Sequence, residues 1–195
     1  MSEVVHEFTR DVVNWQPYVE PIDTKKMTPA QADALGLKPG MKPSLYLGVL
    51  AHDPQTLKAR TPLFNSIMTG KGDGLPRADR EIGALITSIV NGCVTCASIH
   101  ARAAANFMGG PEVVDEILAN QLDAKVDAKH QALIDFTVSL TATPPAPTAE
   151  QAEALRAHGF SDLDILDLIH AVAIFNWANR LMHTLGEPLR SGTSA

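Results

Sequence analysis

At 195 residues with 45% hydrophobic and 19% charged side chains, the chain has the make-up of an ordinary globular protein long enough to bury a real core, which excludes a disordered polymer. A net charge of −6, with no lysine or arginine run and no aromatic-interleaved basic patch, argues against a nucleic-acid partner. No apolar run approaches the roughly 20 residues that span a bilayer, and MSEVVHEFTR lacks the basic start and apolar segment of a secretory signal, so no membrane association and a cytoplasmic location are expected.

The simplest organisation is one domain over residues 1–195, with 1–27 as an N-terminal arm. Trp15, Pro17, Tyr18 and Pro21 suggest an extended segment packed on the body or on a neighbouring subunit. Thr28-Pro29-Ala30-Gln31 reads as a helix start, with threonine as cap, proline in the first position and glutamine reaching back. Gly36 and then Lys38-Pro39-Gly40 should break that helix. SLYLGVLAH, after Pro43, reads as a mostly buried helix. Asp53-Pro54 restarts a helix that Pro62 either kinks or divides, and Gly70 to Gly74 forms a loop.

Pro76 opens the next helix, where Ile82, Leu85, Ile86, Ile89 and Val90 recur at amphipathic spacing. Glu81 sits at the edge of this stripe. Asn91-Gly92 interrupts the pattern, and Asn91 reads as the cap of a following helix in which Cys93, Cys96, His100, Ala103 and Phe107 form a seam. Gly109-Gly110-Pro111 separates this helix from PEVVDEILAN. A helix over 127–141 should turn Leu133, Phe136, Leu140 and Val138 inward. The prolines of TPPAP exclude helix there. Thr148 with Gln151 starts a short helix, and Ser161 caps the longest, from about Asp162 to Leu185, whose apolar residues nearly encircle it. Such a helix should be central or shared with another subunit. No alternating strand stands out, so the expectation is an all-α fold of roughly eight to ten helices without significant sheet.

The chemistry concentrates in EIGALITSIVNGCVTCASIH. Both cysteines of the chain lie here. If the helices flanking Asn91-Gly92 fold back antiparallel, Glu81 and His100 each lie about 12 to 15 Å from the bend and face one another. His100, one turn beyond Cys96, is placed to accept a thiol proton, while Glu81 orients the imidazole and favours its charged form. A helix start at Cys93 favours thiolate through unpaired amides and the helix dipole. Such a dithiol can be oxidised to sulfenic acid and then to a disulfide, or can exchange with a partner's disulfide. Two buried structural cysteines, or a zinc site from Cys93, Cys96, His100 and Glu81, are the competing readings; the zinc reading lacks the second cysteine pair of most structural sites. Asn176, Arg180 and His183 share a face of the last helix and, with His170, either line a pocket or satisfy structural contacts. Trp15 and Trp177 read as core or interface, and Met68, Met108 and Met182 as gap filler.

The pattern E-x11-C-x2-C-x3-H, here Glu81, Cys93, Cys96 and His100, resembles the active-site signature of the alkyl hydroperoxidase D-like proteins of the carboxymuconolactone decarboxylase superfamily. The resemblance is specific over about residues 76–110. It continues loosely over 130–186, where GFSDLDILDLIHAVAIFNWANRLMHTLG is similar to the closing helices of the peroxidase-related enzyme subgroup. It implies an all-helical fold, a homo-oligomer, and peroxide reduction by the cysteine pair without haem, metal or other cofactor, with a protein or small-molecule dithiol restoring the pair. It further implies that Cys96 meets the peroxide and Cys93 resolves the product, whereas helix-start exposure favours Cys93 as the first nucleophile. Alkyl hydroperoxidase D proper often carries a histidine between the cysteines, where this chain has Thr95. The decarboxylase branch lacks the cysteine pair. A non-catalytic metal-binding or redox-sensing helical oligomer is the alternative of a different class.

Overall fold

The computed structural model describes residues 3–37, 41–70, 72 and 74–190. Among them are nine α-helices: α1 (Pro29–Leu35), α2 (Leu45–Leu50), α3 (Pro54–Thr69), α4 (Arg77–Val90), α5 (Val94–Met108), α6 (Glu112–Asn120), α7 (Ala128–Thr141), α8 (Ala149–Ala157) and α9 (Asp162–Leu185). The fold is all-α, as expected. Capping explains several boundaries. Thr28 with Gln31, Thr148 with Gln151 and Ser161 with Asp164 each form a reciprocal box that satisfies the first free amides of α1, α8 and α9. Pro62 lies inside a continuous α3 and does not divide it. The break expected at Lys38-Pro39-Gly40 lies outside the described residues, as do positions 71 and 73 of the loop expected after Gly70.

The centre of the protein is α4, where every residue from Asp79 to Ile89 is buried. Ile82, Leu85, Ile86 and Ile89 pack with Val114, Ile117, Leu133, Leu168 and Val172 in the main core. Each such aliphatic side chain contributes about 1.5–3 kcal/mol on removal from water. Gly83 lets α9 come close, since a Cβ there would lie 2.8 Å from Cδ1 of Leu168. Of the two alternatives expected for the last helix, central or shared with another subunit, full enclosure within its own chain does not hold: α9 leaves Leu163, Leu166 and Trp177 exposed, and only part of its apolar circumference faces the core. Likewise α2 buries Gly48 and Val49 but exposes Leu45, so it is a half-buried helix. In α7, Leu133 and Phe136 are buried, whereas Val138 and Leu140 are partly so.

One small sheet accompanies the helices among the described residues. β1 (Val13–Pro17) and β2 (Gly186–Arg190) pair antiparallel, with Trp15 opposite Pro188. Both strands are five residues long and contain a proline, and they come from opposite ends of the chain, so neither shows the local alternation that announces a strand. The ribbon fixes the N-terminal arm to its own body. Two further ties reinforce it: Ser98 Oγ and Arg102 Nη1 on α5 donate to the Asp11 carbonyl at 2.7 and 2.8 Å. No helix among the described residues is long and apolar enough to cross a membrane.

Candidate active site

The site is built on the hairpin of α4 and α5. Gly92, in the left-handed region at φ +73°, lets the chain reverse within two residues. Asn91 closes α4 through its backbone amide, and Cys93 occupies the cap position of α5, so the cap expected at Asn91 shifts by two residues. The Asn91 side chain instead donates to the side-chain oxygens of Asn176 and Asn179, both at 3.1 Å. This locks the hairpin bend to α9.

On α5 the expected seam is real, and it packs against Phe175 and Met182 of α9. Cys93, Cys96 and His100 are buried, Ala103 is partly so and Phe107 is exposed, while Ala97, Ala101 and Ala104 on the adjoining face pack into the core. The seam borders a cavity of about 480 Å³ lined by Cys96, His100, Glu81, Thr95 and Arg77 from the hairpin and by Trp15 from β1. Cys93 does not border it.

The structure brings Glu81 and His100 together. Nδ1 of His100 donates to Oε2 of Glu81 at 2.5 Å, which leaves Nε2 as the free ring nitrogen. Oε1 of Glu81 takes the guanidinium of Arg77, one helical turn earlier, also at 2.5 Å. Glu81 is completely buried. Burial works strongly against its ionisation, yet His100 and Arg77 together outweigh it and hold the carboxyl below its usual range. The ring of His100 stands edge-on to Phe175, with centroids 4.2 Å apart.

The two cysteines are free thiols whose sulfurs lie 2.8 Å apart. The hydrogen bond with Cys96 does most to hold the Cys93 thiol below its ordinary value; burial opposes this, and the Cys96 backbone amide and the Asn179 side chain assist. Cys96 is pushed well above its ordinary value, because it holds the shared proton, is buried and faces the charge of Cys93. Among the described residues no direct hydrogen bond joins His100 to either sulfur, so the proton transfer expected between Cys96 and His100 is not made by contact in the resting site.

Several of the residues that shape this site gave no cue in the motif. Asn179, fully buried, donates to Ser88 Oγ at 3.0 Å and lies beside both sulfurs. Tyr46 and Trp15 pack in one apolar cluster with the cysteines and Met182. Arg77 alone carried a readable signal, its four-residue spacing to Glu81. None of His170, Asn176, Arg180 and His183 borders the cysteine cavity. Asn176 accepts from Arg180 within α9, and His170 borders a separate apolar groove beside α3. Among the described residues no group of three or more histidine, cysteine, aspartate or glutamate side chains converges to hold a metal, and Glu81 is occupied by Arg77 and His100.

The carboxymuconolactone decarboxylase family matches residues 54–125, a stretch that holds α3, α4 and α5 and all four motif residues. A peroxidase-related protein from Silicibacter sp. TM1040 is 29% identical over 75% of this chain and 76% of its own, with a TM-score of 0.64. In sequence over this stretch and in fold, the chain is similar to the alkyl hydroperoxidase D-like proteins of the carboxymuconolactone decarboxylase superfamily. An alkylhydroperoxidase AhpD core protein from Ralstonia eutropha JMP134 is 28% identical over 75% of this chain and 77% of its own, at a TM-score of 0.66. The debrominase Bmp8 shares the fold at 19% identity, covering 90% of this chain and 94% of its own with a TM-score of 0.68. No curated protein sequence matches the chain.

Proposed function

We propose that the Cys93–Cys96 pair reduces organic hydroperoxides. The observation that carries this reading is the separation of 2.8 Å between two reduced sulfurs, one of which borders a cavity shared with His100 and Glu81. Two thiols this close form a disulfide with little movement, which protects an oxidised sulfur from further oxidation.

When the pair ionises, the first charge falls on Cys93, the thiol that the hydrogen bond with Cys96 holds low. Because Cys96 borders the cavity and Cys93 does not, the proton passes from Cys96 to Cys93 as the peroxide arrives. The Cys96 thiolate attacks the terminal peroxide oxygen; the O–O bond breaks, Cys96 becomes a sulfenic acid and the alkoxide leaves. His100, oriented by Glu81, is the group that passes a proton to that alkoxide through Nε2, directly or across a water. The Cys93 thiol then condenses with the sulfenic acid, releasing water and leaving the disulfide. An external dithiol reduces that disulfide in turn. Thr95, in place of a second histidine, supplies no ring nitrogen, so His100 and Glu81 carry the relay alone.

Direct exchange with the disulfide of a folded protein is the weaker reading, because Cys93 and Cys96 are only 3% and 5% exposed. Exposed Leu163, Leu166 and Trp177 on α9 support a homo-oligomer, which sedimentation velocity measures directly. The peroxidase reading is tested by adding one equivalent of cumene hydroperoxide to the reduced protein. Loss of two thiols, recovered by dithiothreitol, is expected, and mass spectrometry of the Cys93→Ser protein should locate a sulfenic acid on Cys96. Unchanged thiols would overturn the reading, and a sulfenic acid on Cys93 in the Cys96→Ser protein with none on Cys96 in its counterpart would reverse the roles.

A further inference from the structure

The cavity beside Cys96 contains two hydrogen-bond donors that peroxide reduction does not use. Tyr46, on α2, stands edge-on to Trp15 with ring centroids 5.8 Å apart, and its hydroxyl is buried without a hydrogen-bond partner. Arg60, on α3, lays its guanidinium over the Phe64 ring at 4.1 Å, and its Nε is also buried and unpartnered. Both side chains line the cavity. Buried donors are normally satisfied, so two orphans in one cavity mark a place where an acceptor is brought in.

The charges identify that acceptor. Arg77, the other guanidinium of the lining, is paired with Glu81. Arg60 has no carboxylate partner among the described residues: burial works against its charge and the neighbouring Tyr46 is what favours it. Burial meanwhile pushes the Tyr46 hydroxyl well above its usual value, so it stays protonated and remains a donor. One uncompensated guanidinium and one neutral hydroxyl match a monoanion with two acceptor oxygens. A dianionic phosphate would enter such a site half-neutralised, against a heavy desolvation cost. The remainder of the lining, including Phe64, Met68, Phe175 and Met182, is apolar and aromatic.

We propose that this cavity binds an organic monocarboxylate, its carboxylate received by Arg60 Nε and Tyr46 Oη and its apolar body laid toward Cys96. Resting on the peroxidase reading, the substrate class becomes acid-bearing organic hydroperoxides; the binding itself does not depend on that reading.

Isothermal titration of the intact reduced protein with 2-naphthoate and with its neutral counterpart 2-naphthamide tests this. The acid should bind at least about tenfold more tightly than the amide, the range of one charge-assisted hydrogen bond. Arg60→Gln should abolish that preference, and Tyr46→Phe should weaken the acid severalfold while leaving the amide unchanged. Thermal melts of each variant establish that it is folded. Should Arg60→Gln fail to fold, Tyr46→Phe decides alone, and an unaltered naphthoate Kd in it overturns the assignment. Equal affinities for acid and amide, or no binding of the acid, overturn it as well. A carboxylate preference in a protein that does not turn over peroxide retains the binding assignment and removes the peroxidase; turnover without the preference does the reverse.

Discussion

Nδ1 of His100 and Oε2 of Glu81 meet at 2.5 Å across the α4–α5 hairpin, inside a protein interior that would otherwise reject both groups. With Arg77 on its second oxygen, Glu81 is a buried carboxylate sustained by two neighbours. Its folded pKa is depressed, so its contribution to stability is complete above the ordinary carboxylate range and is lost as pH falls through the lowered value. Glu81→Gln should therefore cost about 2 kcal/mol at neutral pH, and the gap to the parent should close in strongly acid solution. Thermal melts of the two proteins across a pH series measure this. A gap that stays constant would show that Glu81 is not ionised in the fold.

The sulfur pair predicts a specific titration. Because the hydrogen bond with Cys96 is the largest influence lowering the Cys93 thiol, Cys96→Ala, which removes the donor, should move the first thiol ionisation upward. Ultraviolet thiolate absorbance against pH reads it. A first ionisation unchanged by Cys96→Ala would mean that the shared proton does not acidify Cys93.

Asn179 links stability to reactivity. It joins Asn91 and Ser88 in a buried amide network and favours the charged form of both sulfurs. Asn179→Ala should lower stability by about 2 kcal/mol, since it removes one of the two acceptors of Asn91 and the donor to buried Ser88, and should also slow alkylation of the cysteines at neutral pH. A loss of stability with no change in alkylation rate would confine the residue to a structural role.

Arg80 supplies the contrast. It is buried, donates to the carbonyls of Leu75 and Ile67, and pairs with Asp167 of α9 at 2.7 Å. Arg80→Met should cost about 3 kcal/mol by leaving Asp167 with the Leu75 amide but no counter-charge and two carbonyls without the guanidinium, yet leave the thiol titration of the folded protein intact. Urea unfolding and the same absorbance titration separate the two effects.

The candidate site was legible where its parts lie in one stretch of chain. Glu81, Cys93, Cys96 and His100 sit on two consecutive helices, so helical spacing and a single bend suffice to bring them together. Asn179, Tyr46, Arg60 and Trp15 come from α9, α2, α3 and β1, and only tertiary packing delivers them to the sulfurs or the cavity. Helix-forming segments were legible through caps and periodicity. The rank of the helices was not: α9 is the more apolar in sequence, but α4 is buried along Asp79–Ile89 because its polar residues find partners, Arg80 with Asp167 and Glu81 with Arg77 and His100. The ribbon escaped notice because strand pairing between distant prolines leaves no local pattern.

That ribbon has a consequence for how the dithiol is restored. Trp15 is held over the cysteines by its Nε1 donating to the Met182 carbonyl at 3.0 Å and by close packing on Gly186, where a Cβ would come within 2.5 Å of the indole. A small reductant can diffuse in beneath it. A macromolecular reductant must first unlatch both ends of the polypeptide together, so its turnover should track how often β1 peels away rather than how strongly it reduces.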